Sequence, residues 1–341
     1  MTLWAVLPGG VDDPAAPSGG NRYDRTVLSL LPDVHEIAVP GSWPLPEPAA
    51  RTALSRALAG IPDGSGVLID GLVGCGVPEI LEPHAERLRL IVLVHLPLSD
   101  ETGLAPDVAA RLQARERRAL HLATTVVATS NAAADNIRTM HDLVRVEVAP
   151  PGVGPAPLTV PAATGRRLLC VAAVSPRKGQ DLLAGTLEND LAGLDWQCTF
   201  AGAIIKPVPY ADPRLRFAGP LHGGALDEAY GQADLFVLAS RAETYGMVVT
   251  EALARGIPVL ATNVGGVPEA LGTAPDGALP GMLIPPDDRP ALAAALRSWL
   301  TDAALRDRLR AAARARRETL PRWSATASAL SAICEGAPDD R

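Results

Sequence analysis

The stretch RAETYGMVVTEALARGIPVLATNVGGVPE, residues 241 to 269, sets Glu243 and Glu251 eight positions apart around Gly246, then adds a glycine pair before Glu269. LFVLAS ahead of it has the length and apolarity of a buried strand, MVVTEALARG reads as a helix closed by Gly256, and IPVLAT reads as the next strand. A helix starting near Gly246 leaves the amides of Tyr245, Gly246, Met247 and Val248 without helical acceptors, at the positive end of the helix dipole. Phosphate suits that place, and glycine at 246 permits close approach to the backbone. Carboxylates beside a bare phosphate would repel it, so the ligand must also carry hydroxyl groups. A nucleotide sugar has both: a diphosphate for the amides, and ribose and sugar hydroxyls for Glu243 and Glu251. Arg177 and Lys178 lie in SPRKG (175 to 179), a loop following the apolar run LLCVAAV. Lys178 and Lys206 are the only lysines among 31 basic residues, which singles out a lysine at a strand end. Its ammonium would neutralise a bound diphosphate. Each of these residues alone has a plain alternative as a solvated surface charge. Their order and spacing together set them apart.

The elements that must position them follow from pattern. Apolar runs LWAVL (3 to 7), GVLIDGL (66 to 72), LIVLVHL (90 to 96), TVVAT (125 to 129), LLCVAAV (168 to 174), QCTFAG (197 to 202), LFVLAS (235 to 240) and IPVLAT (257 to 262) alternate with alanine-rich helical segments. Strands apolar throughout, with helices between, predict α/β domains on parallel sheets buried on both faces. APPGVGPAP (149 to 157) cannot continue a helix or a central strand and marks a boundary. The division is therefore residues 1–150 and 151–320, with 321–341 a last helix expected to cross back onto the first domain and a frayed GAPDDR tail. Ligands are expected where strand carboxyl ends of the two halves face a cleft.

Composition narrows the function classes. A length of 341 residues favours two domains, and a net charge of −7 argues against nucleic acid as the main partner. Cys75, Cys170, Cys198 and Cys334 show no paired spacing, so neither a zinc site nor a disulfide framework is expected. With no apolar run of spanning length and no secretory leader pattern, a cytoplasmic protein is expected. Asp12, Asp13, Asp287 and Asp288 read as loop acids and not as metal ligands. Arg111, Arg115 and Arg118 form a helical stripe read as a solvated face. Membrane docking through it is disfavoured, because residues 1–150 hold 12 arginines against 18 acids. His121 and His141 have no context pointing to chemistry. A GxGxxG fingerprint is absent, which sets a nicotinamide oxidoreductase aside.

The Glu243/Glu251 pair, the YGM turn, GIPVLAT and GGVPE together resemble the donor-binding half of retaining GT-B glycosyltransferases of the glycosyl-transferase group 1 family. SGGNRYDR, VLVH, APPGV and SPRKGQD extend the resemblance over nearly the whole chain. It implies two Rossmann-like domains facing a cleft, an N-terminal acceptor-binding domain and a C-terminal domain holding a nucleotide-sugar donor. No cofactor and no metal are expected. By the resemblance Glu251 accepts hydrogen bonds from ribose hydroxyls, and Glu243 with the neighbouring amides holds the donor sugar. His95, at the end of LIVLVHL, matches the family's histidine at the sugar and is expected to hydrogen-bond donor sugar or acceptor. Gly19 and Gly20 would let backbone approach the donor phosphate or the acceptor. The family's usual arginine five residues before the lysine is Ala173 here, and Arg177 is the nearest substitute. The implied activity is retaining, metal-independent hexosyl transfer to an acceptor hydroxyl, with a small soluble acceptor favoured. An epimerase or phosphorylase on the same scaffold, or a non-catalytic nucleotide-sugar-binding protein, are the alternatives.

Overall fold

The computed structural model describes residues 2–13, 18–210 and 212–336. Residues 337–341 of the expected frayed tail lie outside the described residues. By internal contacts the chain forms two units, Met1–Gly152 with Arg322–Arg341, and Val153–Pro321.

The first unit is a parallel six-stranded sheet of β1 (Leu3–Pro8), β2 (Val34–Val39), β3 (Gly66–Asp70), β4 (Arg89–Val94), β5 (Thr125–Ala128) and β6 (Glu147–Val148), in the order β2-β1-β3-β4-β5-β6. The second holds β7 (Arg167–Val171), β8 (Gln197–Ala201), β9 (Leu215–Gly219), β10 (Leu235–Leu238), β11 (Val259–Thr262) and β12 (Gly281–Ile284), ordered β12-β11-β10-β7-β8-β9. Both sheets are α/β and parallel, as their apolar central strands predict. Side chains alternate across a strand. Leu169, Phe236, Leu238 and Val259 accordingly enter one core of the second unit, while Leu168, Cys170, Leu235 and Val237 enter another.

In each sheet the direction of strand succession reverses once on either side of the first strand, between β1 and β3 and between β7 and β10. Loops leaving the carboxyl ends of those strands are splayed apart by the reversal, which is where open α/β sheets bind ligands. β1 leads toward a helix, Gly19–Leu28, whose N-cap Ser18 accepts from the Asn21 amide at 2.9 Å. Gly19 and Gly20 are thus the first residues of a helix.

The helix Trp323–Glu335 belongs to the first unit. Thr326 donates to the Pro150 carbonyl at 2.8 Å, Arg89 donates to the Cys334 carbonyl, and Trp323 meets Tyr23 edge-on at 5.7 Å. Among the described residues no helix is long and apolar enough to cross a membrane, and all four cysteines are free and buried.

Candidate active site

Three loops of the second unit converge on Glu243. The first leaves β7 and carries Arg177 and Lys178; the second leaves β10 and carries Ser240 to Gly246; the third leaves β11 and carries Gly265 and Gly266. Gly179 has φ 66°, and a Cβ there would overlap the Ala239 carbonyl. Gly265 has φ 47°, and a Cβ there would overlap the Glu243 carbonyl. Glycine is therefore required at both points for backbone to lie on backbone.

Lys178 Nζ donates to Glu243 Oε1 at 2.6 Å, and Ser240 Oγ donates to the same oxygen at 2.7 Å. Arg177 Nη1 stands 3.9 Å from Glu243 Oε2. The Glu243 side chain is 7% exposed and that of Lys178 17%. Two cations against one carboxylate leave a net positive charge on this cluster. An ammonium has three donors, so Lys178 retains capacity for an anion while Glu243 holds it in place.

Arg241, which the sequence did not single out, ties the first two loops together. It donates to both Asp181 oxygens at 2.9 Å, to Asp287 Oδ1 at 2.7 Å and to the Pro176 carbonyl, and its amide donates to the Arg177 carbonyl at 2.7 Å. Ala173 is exposed, and its carbonyl accepts from the buried Gln180 side chain at 3.0 Å.

The helix Met247–Ala254 starts from Gly246 in the left-handed region, φ 90°. The amides of Gly246, Met247 and Val248 stand at this N-terminus, beside the Glu243 loop. Tyr245 contributes its amide to the same turn, while its ring is core, 4% exposed, packed with Val249 and Val267. Burial pushes its hydroxyl up to about 12, opposed by Arg316 and reinforced by Glu269, so it stays protonated. Glu251 is 6% exposed, and its Oε2 accepts from Tyr230 Oη at 3.0 Å. Tyr230 is fully buried and covered by the Arg255 guanidinium 4.4 Å from its ring centroid. Glu251 is therefore a held carboxylate and not a solvated helix acid. Tyr230, in DEAYGQADLF, carried no sequence signal beyond a tyrosine shortly before a buried strand.

His95, Gly19 and Gly20 lie in the first unit. His95 follows β4, and its Nε2 is hydrogen-bonded to Asp24 Oδ1 at 2.8 Å. A Cβ on Gly20 would come within 3.0 Å of the imidazole, so this glycine makes room for His95. Asp70, the last residue of β3, accepts from the Leu72 amide at 2.7 Å. Asp24, Asp70 and His95 present ligand atoms within 4.8 Å of one another. That spacing would admit a small cation, and the His95–Asp24 contact has the length of a hydrogen bond. Burial pushes Asp70 up to about 7, with the Asp24 charge adding and His95 opposing. Burial lowers the His95 pKa, but the Asp24 charge and hydrogen bond, with Asp70 behind them, outweigh it and raise it to about 9. Sequence reading passed over both aspartates, although each is an acid at the edge of an apolar pattern.

Other expectations resolve into structural roles. Asp12 pairs with Arg25, Asp287 with Arg241, and Asp288 caps the helix Arg289–Thr301 by accepting from the Ala291 amide at 2.9 Å. The Arg111, Arg115 and Arg118 stripe is a solvated face at its two ends and not at Arg115. Arg111 and Arg118 are exposed, Arg118 pairing with the exposed Glu82, whereas Arg115 is half-buried and bonds both Glu79 oxygens at 2.7 and 2.9 Å. His141 is fully buried against Glu116 at 3.1 Å, and Glu116 also accepts from the Leu98 amide, fixing the loop that follows His95. His121 bonds the His141 carbonyl at 2.9 Å.

Residues 160–316 match the family model described as glycosyl transferases group 1. A D-inositol 3-phosphate glycosyltransferase of Kineococcus radiotolerans is 31% identical over 276 residues, 70% of this chain and 63% of that protein. Its counterpart in Jonesia denitrificans is 28% identical over 267 residues, 68% of this chain and 61% of that protein. The chain thus spans less than two thirds of the length of these relatives. Among solved structures, sucrose-phosphate synthase from Thermosynechococcus elongatus superposes with a TM-score of 0.73 at 20% identity, covering 98% of both chains. Anabaena HepE in complex with UDP-glucose gives 0.71 at 16% identity, covering 98% of this chain and 99% of that one.

Proposed function

Because the chain belongs to the glycosyl transferases group 1 family and has its GT-B fold, a pair of Rossmann-like α/β units, we propose that it transfers a sugar from a nucleoside-diphosphate sugar to an acceptor hydroxyl with retention of configuration. The observation that carries this reading is Glu243: a buried carboxylate on Lys178, with Arg177 close by, where the strand order reverses and beside a helix N-terminus. The bond from the anomeric carbon to the diphosphate oxygen breaks, the acceptor oxygen bonds that carbon from the same face, and the acceptor proton passes to the departing diphosphate. Lys178, Arg177 and the amides of Tyr245, Gly246, Met247 and Val248 stabilise the charge that develops there. Glu243 holds sugar hydroxyls, and Glu251, steadied by Tyr230, holds the ribose. His95 and Gly20 serve the sugar or acceptor, with Gly19 opening the helix that carries Gly20. Charge neutralisation by two side chains makes the reaction metal-independent in this reading. The acceptor is a small soluble molecule, and the four free thiols suit a cytoplasmic setting.

UDP-glucose is the first donor to test, since the Anabaena HepE structure is a complex with it. Nucleoside diphosphate release is followed with and without acceptor and with EDTA, and the product's anomeric configuration is read by NMR. Acceptor-dependent release, unchanged by EDTA and giving the donor's configuration, is expected. An inverted product refutes retention, and a sugar altered without any acceptor identifies an epimerase. Exposed Ala173 in place of an arginine favours one other reading, a nucleotide-sugar-binding protein without turnover, for which the nucleotide binds and no product forms.

A further inference from the structure

The cluster around His95 is built more elaborately than a hydrogen-bonding histidine requires. Asp24 is 3% exposed and Asp70 4%. Asp24 spends Oδ1 on His95, while its Oδ2 is buried with no partner among the described residues. A small cavity walled by Leu7, Leu68, Leu93 and Leu330 borders both aspartates. Two ionised carboxylates at such a place repel each other and lose their hydration. A proton on Asp70 removes the repulsion and supplies the donor that Asp24 Oδ2 lacks. His95, by contrast, has Nε2 fixed and, among the described residues, no partner on Nδ1, and its side chain is 17% exposed.

We propose that Asp24 and Asp70 are positioning residues that share one proton up to about neutral pH and lock His95 as an imidazolium, turning its Nδ1–H into a fixed, charged donor toward an oxygen of the substrate. In this state His95 cannot act as a base, because both ring nitrogens carry protons. The ligand chemistry it selects is an oxygen acceptor, an anionic or charge-developing one above a neutral one. Among the described residues the titratable groups facing the ring are Asp24 and Tyr23 from the helix Gly19–Leu28, and Asp70 from the end of β3. Tyr23 meets the ring edge-on at 5.2 Å and donates its own hydroxyl to the Ala149 carbonyl, so it stays neutral.

The functional half rests on the transferase reading; the protonation half does not, and the test separates them. The ring resonances of His95 in the full chain are followed by NMR from pH 5.5 to 10, with His95→Gln identifying them among the six histidines. The parent midpoint is expected near 9. In Asp24→Asn it falls below the ordinary value of about 6.5, a loss of more than about a hundredfold in proton affinity. Should Asp24→Asn fold poorly, Asp70→Asn serves: it mimics the protonated carboxyl and is expected to keep the midpoint well above the ordinary value. A parent midpoint at or below about 6.5, or one that Asp24→Asn leaves in place, overturns the assignment. In a transfer assay Asp24→Asn is expected to lower kcat ten- to a hundredfold and leave nucleoside diphosphate affinity unchanged. An unaltered kcat and KM in Asp24→Asn refutes the functional half whatever the NMR shows.

Discussion

Replacing Lys178 by alanine separates the structural and the chemical work of the Glu243 cluster. At an effective dielectric constant of about 20, unit charges at the 2.6 Å of the Lys178–Glu243 contact attract by about 6 kcal/mol, and at the 3.9 Å of Arg177 by about 4 kcal/mol. Most of the first figure is offset by desolvation of the partly buried pair, and Ser240 and Arg177 remain with Glu243 after the substitution. A net loss of about 1–2 kcal/mol of stability is expected, below the range for a fully buried pair. The chemical loss is larger, because removing a preorganised group from developing charge costs about a hundred- to a thousandfold in kcat. Adding Glu243→Ala to Lys178→Ala should return most of the stability, since no buried carboxylate is then left with a reduced set of partners, and should return none of the rate. Urea unfolding and single-turnover transfer measure the two quantities on the same proteins. A kcat within tenfold of the parent in Lys178→Ala would refute the assignment of this lysine to the leaving group. A double variant less stable than either single would refute the electrostatic reasoning.

Tyr230→Phe removes the donor to Glu251 and should cost about 1–2 kcal/mol of stability, with donor affinity reduced several-fold by calorimetric titration. Ala173→Arg places a cation at an exposed position, so stability should change by less than about 0.5 kcal/mol while donor binding tightens; unchanged affinity would remove any role for that position. His95 makes stability pH-dependent. Its folded pKa is raised to about 9, so its contribution is complete below the unfolded value of about 6.5 and is lost as pH rises through 9. Urea midpoints should therefore fall between those limits in the parent and fall less in Asp24→Asn.

The central strands were legible in the sequence because both of their faces are covered, which leaves an unbroken apolar run. The four strands that escaped, β2, β6, β9 and β12, are the four sheet edges. β2 reads VHEIAV and β9 reads LRFAG: a strand open on one side tolerates charge, and the pattern loses its contrast. The site divides in the same way. Glu243, Glu251, Gly246 and Lys178 announced themselves by local spacing around strand ends. Arg241, Tyr230, Asp24 and Asp70 act on groups distant in sequence, through Asp181, Glu251 and His95, and local spacing carries no record of such pairings. Gly20 was marked for its freedom of backbone, whereas its use is to leave room for the His95 ring.

The proposal that the second unit binds a sugar nucleotide is tested most directly by thermal unfolding with UDP, UDP-glucose and a panel of other nucleoside diphosphates, in the parent and in Glu251→Ala. Ligand at a hundred times its dissociation constant adds about 2.7 kcal/mol, enough to raise the midpoint by several degrees. A selective rise in the parent that Glu251→Ala abolishes is the expected result. No rise with any nucleotide, or an equal rise in both proteins, would contradict it.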